Sequence, residues 1–413
     1  MKIPDFDQPD PSLAPAARLR PRGSNQVGVR QFNERVVLQA LRTHGSLPKA
    51  ELARLTGLTA QSIGLITARL DEDQLLRREA PVRGKVGQPS VPIGLNPDGA
   101  FAVGIKLGRR SADWLLVDFT GHVRERRSLE YPFPRREVLL PAIRSHLDDL
   151  LDGLGSLRHR VVGVGVAAPF QLGGWHRMLG LTEEQAQAWS DIDLAAEVQN
   201  MTDLPVSFAR DTNAACVAEL LQGRGRELGS FLYLFLDTFV GGGLVLDSHL
   251  HRGLHGNAGA VASMPLATAS TDGDGKPLQL LARASLWDLE RRFEAHGLEP
   301  MAAYDDRGMQ PPWLPHSLAW IEQAALALAQ CMVSGMAILD VEAVVMDGAV
   351  APDLLQMLRE KTWQALGKYS WEGLMKPPLL VPGTIGSDAR ALGGALLPLH
   401  AVYAPDHDLF LKA

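Results

Sequence analysis

The run Thr59-Ala60-Gln61-Ser62-Ile63-Gly64-Leu65-Ile66-Thr67 sets small and polar side chains among apolar ones at a spacing suited to reading DNA. On a helix opened by Thr59 as N-cap, Ile63, Ile66 and Leu70 share the inner face, which leaves Ala60, Gln61, Ser62, Gly64 and Thr67 toward the others. A glutamine there can pair with adenine and a serine with several base edges, while nothing bulky blocks approach. An ordinary helical hairpin is the alternative for this stretch. Further on, Arg83 and Lys85 stand beside Gly84 and Gly87. Such a loop can follow a minor groove or grip phosphates, or else be a solvated hairpin tip.

A second group of chemically capable residues follows. Arg109 and Arg110 occupy the tight turn between two apolar strands, where glycine would present bare backbone. Arg210-Asp211-Thr212-Asn213 lies in a polar turn between a strand and a helix, so Asp211 can cap that helix. His251, His255 and Gly256 belong to a glycine-rich loop and can line a cleft, although isolated histidines more often pack or face water. Cys216 and Cys331 are far apart and lack a CxxC or a nearby His cluster, so neither a disulfide framework nor a metal site is expected.

The elements that must position these residues are readable in outline. "NERVVLQALRTHG" predicts an amphipathic helix stopped by Gly45, Lys49 opens a short helix ending near Thr56, and Gly57-Leu58 turns the chain into the Thr59-capped helix. Lys49 and Thr59 join the DNA-facing set. Two short strands around Arg83 and Lys85 complete a wing. From about Ala100 the chain alternates apolar strands such as "VVGVGVAA" with helices such as "EVLLPAIRSHLDDLLDGL", which implies an α/β domain.

Composition bounds the function. With 413 residues, 46% of them hydrophobic, the chain can hold two or three domains. The start is acidic and proline-rich rather than a secretory signal. The apolar run 323–339 is interrupted by Gln330 and Ser334 and reads as a buried core helix, so a cytoplasmic protein without a membrane partner is expected. Net charge is −6 but unevenly spread: residues 1–98 hold 14 Lys and Arg against 10 Asp and Glu, the remainder 27 against 37. A basic head on an acidic body suits a polyanion-binding module.

Taken in order, these features resemble the ROK family of repressors, open reading frames and kinases, over nearly the whole chain, in particular its N-acetylglucosamine/xylose-repressor-like branch. The resemblance implies an α/β fold: an N-terminal winged helix-turn-helix followed by an actin-like (ribonuclease-H-like) body of two lobes that binds a sugar between them. The expected division is a disordered arm at 1–24, the winged helix at 25–98 and the two-lobed domain at 99–413. In the family's kinases the first hairpin resembles an aspartate followed by Gly-Gly-Thr, whose backbone approaches ATP phosphates. Here Lys106 takes the aspartate's place and Arg109 and Arg110 obstruct that approach. "DTFVGGG" places Asp237 and Phe239 where the second phosphate motif has glycines. Asp211 matches the base that takes the proton from the attacking sugar hydroxyl, while Arg210 replaces a sugar-binding asparagine. Ala260 and Ser263 replace a sugar-binding glutamate and a zinc-binding histidine, and Leu281 a third sugar-contacting carboxylate.

The resemblance therefore implies a DNA-binding transcriptional regulator, a repressor of carbohydrate genes, with a vestigial base at Asp211 and no cofactor. Its expected partners are double-stranded operator DNA, a sugar-derived effector held by Arg210, Asp211, Asn213, His255 and Gly256, and further copies of itself as a homodimer or homotetramer. An active sugar kinase with a DNA-binding head, and a regulator controlled by a protein partner, remain the alternatives.

Overall fold

The computed structural model describes residues 26–81, 91–169, 192–267, 275–373 and 377–405, together with Thr182, Gln187 and Trp189. The expected arm at 1–24 and the loop carrying Arg83 and Lys85 lie outside the described residues.

The described residues begin with three helices, α1 (Gln26–His44), α2 (Lys49–Thr56) and α3 (Ala60–Glu72), followed by strands β1 (Leu76–Arg78) and β2 (Ile93–Leu95), paired antiparallel. Gly57 adopts φ 69°, a left-handed conformation that ends α2 at little cost to glycine. The Thr59 side chain then accepts a hydrogen bond from the Ser62 amide and caps α3. Val37, Leu38, Leu41, Leu52, Ile63 and Leu70 close the core among these helices.

Two five-stranded sheets follow, built alike. The first contains β3 (Phe101–Leu107), β4 (Ser111–Asp118), β5 (Val123–Glu130), β6 (Val161–Ala168) and β7 (Val206–Arg210) in the order β5-β4-β3-β6-β7. The second contains β8 (Phe231–Leu236), β9 (Gly241–Leu246), β10 (His249–His251), β11 (Ala343–Gly348) and β12 (Leu379–Pro382) in the order β10-β9-β8-β11-β12. In both, an antiparallel meander of three strands gains two parallel strands at its first member. Two lobes of one topology result.

The helices Asp211–Gln222 and Ala389–Tyr403 fill the space between the sheets, and one apolar cluster runs from the head through them to Tyr233 and Val345 of the second sheet. Contact is so close that glycine is required: a Cβ on Gly104 or Gly165 would strike the backbone of Ala391 or Gly394, and one on Gly393 the backbone of Ala214. The run Gly241-Gly242-Gly243 has the same use, since Cβ atoms at Gly241 and Gly243 would collide with Thr212 and Cys216. The long helix Leu314–Leu339 is apolar enough to cross a membrane by composition, yet its Trp320, Ile321, Leu328 and Met332 are buried in the second lobe's core.

Gly393→Ala is expected to lower the melting temperature by roughly 5 °C or more, because the backbone it meets must move. Gly64, whose added Cβ would meet nothing within 4 Å, serves as control, with a shift of roughly 2 °C or less expected for Gly64→Ala. Equal shifts in scanning calorimetry would contradict this account of the packing.

Candidate functional site

The turn between β3 and β4 projects into the cleft between the lobes, and its arginines are engaged there. Arg110 forms a bidentate pair with Glu290 of the helix Leu286–Ala295 in the second lobe, at 2.7 and 2.6 Å. The Tyr304 hydroxyl donates to the same carboxylate and pairs with the Thr238 hydroxyl at 2.8 Å. Arg109 lies over the Phe239 ring, 4.6 Å from its centroid. From the other wall Arg390 reaches across to Asp237, with its guanidinium 5.0 Å from the Phe235 ring centroid.

These groups surround a cavity of about 750 Å³, whose floor includes Lys106, Asp113 and Tyr131. The Lys106 ammonium donates to the Ser111 hydroxyl at 2.6 Å and to Asp113 at 3.1 Å. Burial lowers its pKa, and Arg390 adds to this while Asp113 and Asp237 oppose it. Burial also works to lower the Arg390 pKa, but Asp237 and Asp211 outweigh it and hold that group above its ordinary value. The cavity is thus lined by charges that largely satisfy one another.

A second cavity of about 410 Å³ lies alongside, with Arg109 on the wall shared by both. Arg210, Asp211, Thr212, Asn257, Ala260 and Ser263 also line it. The polar turn anticipated at Asp211 does not form: β7 ends at Arg210 and the helix starts at the next residue, so Asp211 sits in its first turn, where the backbone dipole favours a carboxylate. Its Oδ1 accepts from the Thr212 amide at 2.9 Å. The Arg210 guanidinium donates to Asn213 Oδ1 and to the carbonyls of Gly242 and Ala258, each at 3.2 Å. It joins the strand end to the glycine-rich loop. Burial lowers the Arg210 and Arg109 pKa values, against the pull of Asp211.

Of the residues expected to hold an effector, Arg210 and Asp211 line this cavity and three do not. Asn213 is buried behind it and positions Arg210. His255 is exposed and Gly256 partly so, and neither reaches the cavity wall, because the loop turns through left-handed Gly253, Gly256 and Gly259 and presents Asn257 instead. Leu281 is 1% exposed and serves the second lobe's core. On the head, Lys49, Thr59, Ala60 and Gln61 are exposed and Ser62 partly so. Thr67 is a correction: its side chain is 2% exposed and its hydroxyl donates to the Ile63 carbonyl at 2.7 Å, so it belongs to the inner face. Sequence reasoning missed Glu290, Tyr304, Arg390 and Asn257, of which only Asn257 stood beside a residue already singled out.

The sequence pattern of the ROK family matches residues 102–274. Over 373 residues the chain is 24% identical to the uncharacterized protein y4fQ of Sinorhizobium fredii, covering 90% of this chain and 92% of that one. Over 247 residues it is 21% identical to the xylose repressor of Bacillus subtilis, covering 59% of this chain and 62% of the repressor. Its fold is similar to the crystal structure of a ROK family transcriptional regulator, a homologue of the E. coli MLC protein, with a TM-score of 0.67 and 20% identity over 92% of this chain and 98% of that one.

Arg110→Ala strands the buried Glu290 carboxylate and is expected to cost about 1–3 kcal/mol, seen as a lower melting temperature. Adding Glu290→Ala should recover part of the loss, and strictly additive effects in the double-mutant cycle would show that the pair contributes nothing across the cleft.

Proposed function

As a chain that carries a ROK family domain behind a helix-turn-helix head, this protein is, we propose, a DNA-binding transcriptional repressor of carbohydrate genes whose body senses a sugar-derived effector. The observation that carries the reading is the exposed start of α3, where Ala60 and Gln61 project from a capped helix and Leu65, one turn on, stands exposed beside Gln61, an apolar contact that a thymine methyl would meet. Gln61 and Ser62 read base edges, and Lys49 and Thr59 approach phosphates. Arg83 and Lys85 extend the contact along the adjacent groove, with the winged head taken as residues 25–98 and the sensing body as 99–413. The names of the repressor and regulator relatives support this assignment. A homodimer or homotetramer places two heads on a palindromic operator, and the protein acts in the cytoplasm.

The effector occupies the 410 Å³ cavity, with Asp211 and Asn257 accepting and donating to its hydroxyls and Arg210 holding the loop in place. ATP is not used. The path its phosphates would take is crossed by the Arg110–Glu290 and Arg390–Asp237 pairs, which need no ligand charge to balance them. A specific observation favours the kinase alternative: Asp211 keeps the helix-start position from which a carboxylate can take a hydroxyl proton. Sugar-dependent ATP turnover that disappears in Asp211→Asn would establish that alternative, whereas no turnover is expected here.

Fluorescence anisotropy against the DNA upstream of its own gene, at fixed salt, tests the main reading. Gln61→Ala should weaken specific binding by about 5- to 150-fold and leave binding to random DNA unchanged. Lys49→Ala should weaken both and reduce the salt dependence. Equal affinity of the unmodified protein for its own upstream DNA and for random duplex would overturn the proposal. Of a panel of sugars, one should raise the melting temperature of the unmodified protein but not of Asp211→Asn.

A further inference from the structure

A third cavity, of about 350 Å³, lies away from the cleft where the head meets the body. Gln39, Arg42 and Thr43 of α1 form its roof, and Arg226, Ser248, His249 and His400 face them. Four parts of the molecule converge there: the head, the end of the helix Asp211–Gln222 with the residues after it that carry Arg226, the end of the helix Ala389–Tyr403, and the β9–β10 turn of the second lobe.

Its chemistry is one-sided. Among the described residues that line it are two arginines, two histidines and three neutral polar side chains, and no carboxylate. Arg42 donates from Nη1 to Gln39 at 3.2 Å and lies 5.7 Å from the Phe119 ring centroid. Its Nη2 is shut off from solvent and has no hydrogen-bond partner among the described residues. Burial pushes the Arg42 pKa down to about 10, and the charge that adds to this is another cation, Arg226. A buried guanidinium donor facing a second guanidinium is costly unless an acceptor with negative charge stands between them.

We propose that this seam cavity binds an anion, a phosphate or carboxylate group held by Arg42 and Arg226, and that its occupancy sets how the head sits on the body and hence its affinity for DNA. The second half rests on the DNA-binding reading above; the first does not. Either a small molecule or the chain itself can supply the group. In the sequence Asp406 comes next after Pro405, which lines the cavity, and Asp408 two positions later.

The test uses the full-length protein and inorganic phosphate at constant ionic strength, with chloride as the balancing salt. Melting temperature is read without DNA. A saturable rise with phosphate, weakened about tenfold or more in Arg226→Ala, supports a small-molecule anion. Arg226 is exposed, so this variant folds even if Arg42→Gln does not. A flat response that becomes saturable in Asp406→Asn/Asp408→Asn, and is lost again on adding Arg226→Ala, supports the same site filled by the chain's own carboxylates. Flat responses in both proteins, or a response indifferent to Arg226→Ala, overturn the site. Anisotropy then reads the coupling: whichever anion fills the site, its removal should change DNA affinity in the unmodified background and not in Arg226→Ala. Saturable phosphate binding without any specific DNA binding would reject the repressor reading and leave the anion site standing.

Discussion

The structure depends on how closely the helix Ala389–Tyr403 can approach its neighbours. Where it meets β3, β6 and the helix Asp211–Gln222, the contacts are backbone against backbone, through Gly104, Gly165, Gly393 and Gly394. Dispersion forces fall off so steeply that a gap of one methyl group would forfeit much of this contact, and the interior cannot relax to recover it. The helix therefore has one seat. Its first turn carries Arg390 across the cleft to Asp237, and at its end Tyr403 meets the Phe119 ring edge-on, 4.7 Å between centroids. The head's α1 rests on the same helix and on the same apolar cluster.

Because the helix has one seat, the charges it carries are fixed as well. In the cleft, Arg110, Glu290, Arg390, Asp237, Lys106 and Asp113 form pairs with cation and carboxylate on different elements. Taking such groups out of water is expensive, and only the short, bidentate geometry of Arg110 and Glu290 with its added Tyr304 hydrogen bond offsets the cost. Here the Arg110 and Arg390 guanidiniums meet carboxylates of the opposite lobe, and the two pairs join the lobes.

Such a connection gives a binding event between the lobes a route to the head. The head, the first lobe and the inner face of the second sheet share one continuous apolar core, so no flexible tether separates the head from the body. In the proposed repressor, an effector that prefers one closure shifts the population of head arrangements by its differential affinity for the two, with no chemistry required.

The amino-acid sequence by itself determined the local structure. The 3.6-residue period of Ile63, Ile66 and Leu70, the Thr59 cap and the Gly57 turn are instructions that neighbouring residues carry among themselves, and they place α2 and α3 where they are found. The apolar runs of β3, β6 and β8 were equally legible, because a strand buried on both faces leaves a continuous signature. Thr67 was misread because a threonine can satisfy its hydroxyl on its own helix and then pack as an apolar residue. Nothing local to Gly241 and Gly243 shows that they make room for Thr212 and Cys216. Only tertiary structure could bring Arg110 to Glu290, Arg390 to Asp237 and Arg42 to Arg226, separated by 180, 153 and 184 positions. Nothing local to either member of such a pair records the other, because charge acts through space and the chain's path alone decides which charges meet.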